Sequence, residues 1–234
     1  MLTINYKGKL IFVKIRDTIV NGRNSDCDVI REIYDENVYD INRDNFEDGV
    51  VLDIGGHIGL FAIFAVLNGA KKVYAIEPDK ENFKLLKENI ELNAMQETII
   101  PINRAVLDSG YSTEIYLNQS NGVMKDVKEF QSKEAIKPKL GETQNIKTMT
   151  LSDLFSDYRI DCVDVCKMDI EWSEYKIIES TRIGMLRRIK YLTMEFHGTD
   201  KEHFGSMVSK LTEGFRVNTL GDYKKGGMLY ATRY

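Results

Sequence analysis

Two short runs in this sequence have the residue types and spacing of a nucleoside-ligand site. Asp53-Ile54-Gly55-Gly56-His57-Ile58-Gly59 puts an acid at the end of an apolar run, then glycines that let a ligand lie on bare backbone, then a helical stretch. Glu77-Pro78 ends the next apolar run with a second acid. A carboxylate there suits both hydroxyls of a ribose and repels a 2′-phosphate. The dinucleotide pattern of three glycines fails, because two and five residues after Gly55 stand His57 and Leu60. No Gly-Lys-Ser/Thr phosphate loop follows either. Two acids with no neighbouring base fit a sulfonium-bearing adenosine, S-adenosylmethionine, better than a pyrophosphate. Asp53 then either faces the cationic amino-acid part or holds the N–H groups of the turn.

Two later runs carry groups able to move a proton. Lys167-Met168-Asp169-Ile170-Glu171 and Glu195-Phe196-His197 each end an apolar stretch with titratable residues two apart, on one face of an extended strand. Methyl transfer from a sulfonium is an in-line displacement, so alignment and exclusion of water supply most of the catalysis. A hydroxyl acceptor also needs its proton taken by a base or its oxygen bound to a metal. His197 has the ordinary pKa for proton acceptance near neutrality, with Glu195 or Asp169 orienting it or the acceptor and Glu171 close by. The competing reading is a histidine satisfied by neighbouring loops. Asp169, Glu195 and His197 would also suit a divalent cation, but the expectation is no metal. Lys167 is expected to pair with a carboxylate, and Cys162 and Cys166 to pack as small hydrophobes.

The elements around these runs alternate. Residues 50–54, 71–77 and 98–103 read as strands, and 58–68 and 81–92 as helices with apolar stripes. Strands alternating with helices of this length predict parallel pairing in a doubly wound α/β sheet with helices on both faces. Residues 162–170 and 190–196 continue the pattern around a helix at 174–183, after a helix near 150–155 capped by Thr150 or Ser152. The chain closes with strands at 216–220 and 228–232 around Lys224-Lys225-Gly226-Gly227, a link so short that they must be antiparallel. Before the first glycine turn lie a hairpin around Lys7-Gly8-Lys9 and a helix from Ser25-Asp26 to near Tyr39. Residues 112–117 read as a strand. The stretch 118–145, with Lys125, Lys128, Lys133, Lys137 and Lys139, reads as a long solvated loop rather than a lid.

Composition bounds the rest. With 234 residues, 32 Lys+Arg, 36 Asp+Glu and a net charge of −4, the chain has no basic footprint for nucleic acid or an anionic membrane. The longest mostly apolar stretch, 58–67, is about half of what a membrane helix needs. Charges scattered through the N-terminus break any signal-peptide core. Three cysteines without metal-ligand company imply neither a disulfide framework nor a zinc knuckle. A reducing, cytoplasmic setting is expected.

The glycine turn, Glu77-Pro78, the Lys167-to-Glu171 run and Glu195-Phe196-His197 together resemble the FkbM family of S-adenosylmethionine-dependent methyltransferases, over roughly residues 26–198. The segment around Ser25, Asp26 and Val29 is similar to the one that precedes that family's glycine motif. The resemblance implies a seven-stranded class I methyltransferase sheet and methylation of oxygen, often on sugars or natural products. It also implies that Asn103 and Ala105 lie against the adenine edge. Two positions depart from the family: Gly56-His57 stand where Ala-Asn is usual, and Trp172 where glycine is usual. His57 either replaces the asparagine's hydrogen bond to the cofactor or turns away, and Trp172 becomes a candidate wall of the acceptor pocket.

The expectation is one methyltransferase domain over residues 1–234, with a cap at 1–49 and a Rossmann-like core at 50–234. The cofactor is S-adenosylmethionine, held by Asp53, Gly55, Gly56, His57, Gly59, Glu77, Pro78, Asn103, Ala105 and Asp169. The acceptor is a small hydroxylated molecule or sugar, with no nucleic acid or membrane partner. The alternatives are a non-catalytic adenosine-ligand binding module and an NAD-dependent oxidoreductase. Acceptor identity and oligomeric state are not written in the residues.

Overall fold

The computed structural model describes residues 1–16, 24–108, 113–117, 124–126, 143–170 and 173–234, with the backbone alone at 113–117, 124–126 and 143–145. β1 (Leu2–Tyr6) and β2 (Lys9–Val13) form the N-terminal antiparallel hairpin. Its turn residues Lys7 and Gly8 both have positive φ, 49° and 81°, the geometry that tight two-residue hairpins use. α1 (Ser25–Tyr34) begins at Asn24, whose side chain accepts the N–H groups of Asp26 and Cys27. It ends at Tyr34, five residues short of the expected Tyr39. Asp35 and Glu36 oppose the negative end of the helix dipole, and Asn37 takes a left-handed φ of 48°.

α2 (Arg43–Phe46) buries Phe46. Then β3 (Val50–Ile54), α3 (Leu60–Leu67), β4 (Lys72–Ile76), α4 (Lys80–Leu92) and β5 (Ile99–Ile102) follow the expected alternation. After β6 (Ala105–Val106), the strands β7 (Thr113–Leu117), β8 (Met124–Asp126) and β9 (Thr143–Ile146) form an antiparallel sheet in the order β8-β7-β9. The supposed loop 118–145 therefore carries strand at two places, and Lys128, Lys133, Lys137 and Lys139 lie outside the described residues. β10 (Thr148–Met149) pairs parallel with β6. α5 (Leu151–Asp157) is capped reciprocally by Thr150 and Asp153.

β11 (Val163–Met168), α6 (Glu174–Ser180), α7 (Ile183–Leu186), β12 (Ile189–His197), α8 (Lys201–Thr212), β13 (Phe215–Asp222) and β14 (Gly226–Arg233) complete the chain. α8 was not expected. It is capped by Asp200, and its apolar positions Phe204, Met207, Val208 and Leu211 make one narrow stripe among polar residues.

The main sheet has seven strands in the order β13-β14-β12-β11-β3-β4-β5. β5, β4, β3, β11 and β12 are parallel, while β14 runs antiparallel to both β12 and β13. This is the mixed α/β sheet that the resemblance implies, with the antiparallel pair at its C-terminal edge. Alternate residues feed two cores. Leu52, Ile54, Cys166, Met168, Leu192 and Met194 pack with α5, α6 and α8, whereas Val51, Val73, Ala75 and Val165 pack with α3, α4 and the hairpin. α3 is apolar on all sides, and Leu60 to Ala65 are all buried, as a helix between sheet and cap must be.

The hairpin is fastened to α4 by two asparagines one helical turn apart. Asn93 donates to Phe12 O at 2.7 Å and accepts from Phe12 N at 3.0 Å. Asn89 accepts from Lys14 N at 2.7 Å, and its amide donates to Lys14 O at 3.1 Å and to Ile58 O at 2.8 Å. Four helical residues rise about 6 Å and two strand residues about 6.7 Å, so the side chains keep step with alternate strand residues. Asn89 is fully buried and ties the cap to the glycine turn.

Candidate active site

The carboxyl ends of β3, β4, β11 and β12 come to one edge of the sheet, where open α/β folds hold their ligands. β3 ends at Ile54, and Gly55 turns the chain with a φ of 84°. A Cβ at Gly55 would lie 1.9 Å from the carbonyl oxygen of Asp169, so only glycine lets β3 and β11 close at this height. Gly55 and Gly56 both donate N–H to Ile76 O, at 3.0 and 2.8 Å, which ties the turn to the tip of β4. Gly59, with a φ of 89°, opens α3.

Glu77 joins the two strand ends. One carboxylate oxygen accepts the N–H of His57 at 2.8 Å and the other that of Asp79 at 2.8 Å. Burial raises its pKa to about 8, outweighing these two hydrogen bonds, which lower it. Asn103 donates to the carbonyls of Glu77 and Pro78 at 2.9 and 3.0 Å. Its amide thus fixes the strand tip. Ala105 is buried in β6 beside Thr148 of β10.

Register sets Lys167 abreast of Asp53 and Thr193. The Lys167 ammonium, almost out of water, donates to Gly55 O at 2.6 Å and stands 3.3 Å from Asp53 Oδ1 and 3.8 Å from Asp169 Oδ2. The contact with Asp53 is an ion pair without a well-directed hydrogen bond: neither Asp53 oxygen has a hydrogen-bond partner among the described residues. Burial pushes Asp53 up to about 6 although Lys167 pulls it down. Burial alone would lower the pKa of Lys167, yet Asp53 and Asp169 together raise it. Tyr39 closes the group, its hydroxyl donating to Asp169 Oδ2 at 3.2 Å and its ring lying 5.6 Å from the Lys167 ammonium. Burial, then Asp169 and Glu195, push the Tyr39 pKa well up, so Glu195 faces the same space. Glu32 is raised by burial and by Asp169.

His57 belongs to a second cluster. Arg16 forms an ion pair with the fully buried Asp26, donates to Asn82 Oδ1 at 2.9 Å and touches His57 Nε2. Burial first, and Arg16 second, lower the His57 pKa to about 4. A neutral ring accepting from Arg16 at Nε2 carries its proton on Nδ1, a buried atom with no hydrogen-bond partner among the described residues. Burial raises the Asp26 carboxyl, but hydrogen bonds from Arg16 win and hold it low.

His197, at the end of β12, is held by the first turn of α6. Its Nδ1 lies 3.0 Å from Glu174 Oε1, and its backbone N–H donates to the same oxygen at 2.8 Å. The Tyr175 hydroxyl donates to the His197 carbonyl. Glu171 and Trp172 lie outside the described residues. Among the other expected residues, Asp53, Gly55 and Asp169 meet through Lys167, while His57 meets the Glu77 carboxylate through its backbone N–H and Gly56 is tied to Ile76 O.

The methyltransferase FkbM domain matches residues 53–217. The chain belongs to the FkbM methyltransferase family. It is 26% identical over 213 residues to the 31-O-demethyl-FK506 methyltransferase FkbM of Streptomyces tacrolimicus, covering 80% of each chain. A ribosomal protein L11 methyltransferase of Carboxydothermus hydrogenoformans is 32% identical over 81 residues, 35% of this chain and 26% of that one, so this FkbM chain spans about a quarter of that relative's length. The METTL16 methyltransferase domain superposes with a TM-score of 0.53 at 12% identity, covering 96% of this chain and 74% of that chain. This likeness shows the fold. The chain thus carries an FkbM methyltransferase domain of class I architecture, and among its described residues no helix is long and apolar enough to cross a membrane.

Four functional candidates of this FkbM protein escaped sequence reasoning. Glu174 carried a signal, an acid in the first turn of a predicted helix and three residues past Glu171. Tyr39, Arg16 and Asp26 carried none as site residues, since their partners are defined only by folding.

Proposed function

We propose that this FkbM protein transfers a methyl group from S-adenosylmethionine to a hydroxyl oxygen of a small molecule or sugar. The observation that carries this reading is His197, a histidine gripped by a buried carboxylate at the strand ends that border the glycine turn. Oxygen acceptors need such a base. The relative from Streptomyces tacrolimicus, matched over four fifths of each chain, is by its name an O-methylating enzyme.

The residues present fit the cofactor. Glu77 is buried at the tip of β4 and oriented by two backbone N–H groups, ready to accept from a ribose. Gly55 and Gly56 offer bare backbone, and His57 Nδ1–H is an unused donor beside them. S-adenosylmethionine supplies an electrophilic methyl on a sulfonium. The protein's own part is to hold the adenosine through Glu77 and the glycine turn, and to keep Asp53, Lys167, Asp169 and Tyr39 as a fixed polar wall. His197 takes the acceptor proton, and Glu195 accepts a further acceptor hydrogen bond.

Some relatives carry names of nucleic-acid enzymes, among them a tRNA (guanine(37)-N(1))-methyltransferase of Methanocaldococcus jannaschii, 43% identical over 53 residues. The carboxylates of Asp169 and Glu195 near Tyr39, with Glu32 near Asp169, repel a phosphate backbone and favour a small neutral acceptor.

Titration calorimetry with S-adenosylmethionine and S-adenosylhomocysteine, with NAD as control, tests the cofactor on the wild type and on Glu77→Ala. Micromolar binding of both, weakened by roughly 1.5–3 kcal/mol in the variant, is expected. Binding of NAD, or of none of the three, overturns the reading. Methyl-labelled cofactor offered to hydroxylated small molecules and, separately, to RNA tests the acceptor. Label in RNA alone excludes the small-molecule assignment.

A further inference from the structure

The grip of Glu174 on His197 extends past a simple ion pair. Glu174 is fully buried, and one of its oxygens receives both the ring nitrogen Nδ1 and the backbone N–H of the same histidine. Tyr175, the next residue, holds the carbonyl of that histidine. One helical turn therefore fixes His197 at its amide, its ring and its carbonyl. Burying a carboxylate costs several kcal/mol unless partners compensate. The other oxygen of Glu174 has no hydrogen-bond partner among the described residues, so the cost is met through the histidine.

We propose that Glu174 is the positioning residue for His197, fixing the tautomer with the proton on Nδ1 so that Nε2 is the basic nitrogen at the carboxyl ends of β11 and β12. An ionised carboxylate can only accept hydrogen bonds, so Nδ1 must donate to it. In a neutral imidazole the remaining nitrogen is then the base. The inference rests on the reading of His197 as the proton acceptor. The groups around the histidine are consistent with it. α6 supplies Glu174 and Tyr175, the cap of α8 supplies Asp200, which acts on Tyr175, and its own strand supplies Glu195. The opposing residues of β14, Gly226 and Gly227, are uncharged.

The test is nitrogen NMR of the histidine rings in the full chain, wild type and Glu174→Leu, titrated without ligand. Only three histidines need assignment. In the wild type His197 should carry its neutral-state proton on Nδ1. In E174L, which offers no acceptor to Nδ1, that preference should be lost and the ring should titrate at lower pH, because the carboxylate that favours imidazolium is gone. An unchanged tautomer and titration in E174L would overturn the proposal. Tyr175→Phe serves as the control for general disturbance of α6, and it should leave the tautomer as in the wild type. A Y175F tautomer shift equal to that of E174L would show that helix position alone governs the ring, and would also overturn it.

A kinetic arm separates this proposal from the reading beneath it. With S-adenosylmethionine and whichever hydroxylated compound accepts the label, E174L should lose about 10²- to 10⁴-fold in kcat while its cofactor affinity stays within twofold. Undiminished transfer in His197→Ala would remove the base reading, and the catalytic consequence of the pair with it, even where the ring data hold.

Discussion

The Lys167 ammonium stands 3.3 Å from Asp53 Oδ1, with both side chains buried between parallel strands. The lysine also holds Gly55 O and faces Asp169, so a single cation ties together the ends of β3 and β11. Lys167→Met removes the charge and keeps the bulk, leaving Asp53 buried against no cation. A loss of about 3–5 kcal/mol is expected, read as a lower urea midpoint at unchanged slope. A loss under about 1 kcal/mol would mean that Asp53 is protonated and neutral in the folded protein at neutral pH.

Glu77 should report cofactor binding through its proton. Its pKa lies near 8 in the folded protein, against an ordinary 4.5, so at pH 7 the carboxyl is largely protonated. Ribose hydroxyls donate best to the ionised form, so S-adenosylmethionine should expel up to one proton. Calorimetry at pH 7 in buffers of different ionisation enthalpy would measure it, and Glu77→Gln should abolish the buffer dependence. The same shift has a stability sign. Between about pH 4.5 and 8 the folded state holds a proton that the unfolded chain does not, so Glu77's contribution to the stability of the ligand-free protein should be lost as pH rises through this window. E77Q should be flatter there.

His57 has the opposite sign at lower pH. Its ring is held neutral down to about pH 4, while an unfolded histidine protonates below about 6.5. Folding of this group therefore sheds a proton between those values, and the stability that His57 contributes is lost as pH falls from 6.5 towards 4. The difference in melting temperature between the wild type and His57→Asn should shrink across that interval on acidification. A constant difference would mean that burial and Arg16 together do not keep the ring neutral.

Chelation should leave methyl transfer unchanged. Asp169, the carboxylate best placed for a divalent ion, already faces the Lys167 ammonium and accepts from Tyr39, and a fixed cation at this range disfavours a second. Activity lost in EDTA and restored by Mg²⁺ or Mn²⁺ would contradict this.

Legibility from sequence followed the range of the interactions. The run from Val50 to Gly59 could be read because strand, glycine turn and helix each declare themselves within a few residues. So could Thr150 as a cap and the C-terminal hairpin, whose turn is local. Strands at 124–126 and 143–146 hid in a polar stretch, because their pairing is with β7 and not with their own neighbours. At the site, Asp53, Glu77, Asp169 and His197 stood out as polar residues ending apolar runs. Tyr39, 130 positions from Asp169, and Arg16, 41 positions from His57, acquire meaning only once register and packing are known. Glu174 shows the middle case: its helical position was evident, but its partner lay across a crossover to β12.

The asparagine rungs between α4 and β2 make Phe12 and Lys14 natural sentinels. Their amide protons are sheltered by side chains of a helix rather than by a neighbouring strand, so they exchange with solvent only when hairpin and helix separate. Since Asn89 also holds Ile58 O, slow deuteration at Lys14 would certify that the glycine turn is braced from behind. Any ligand seated on that turn should slow the clock at a residue it never touches.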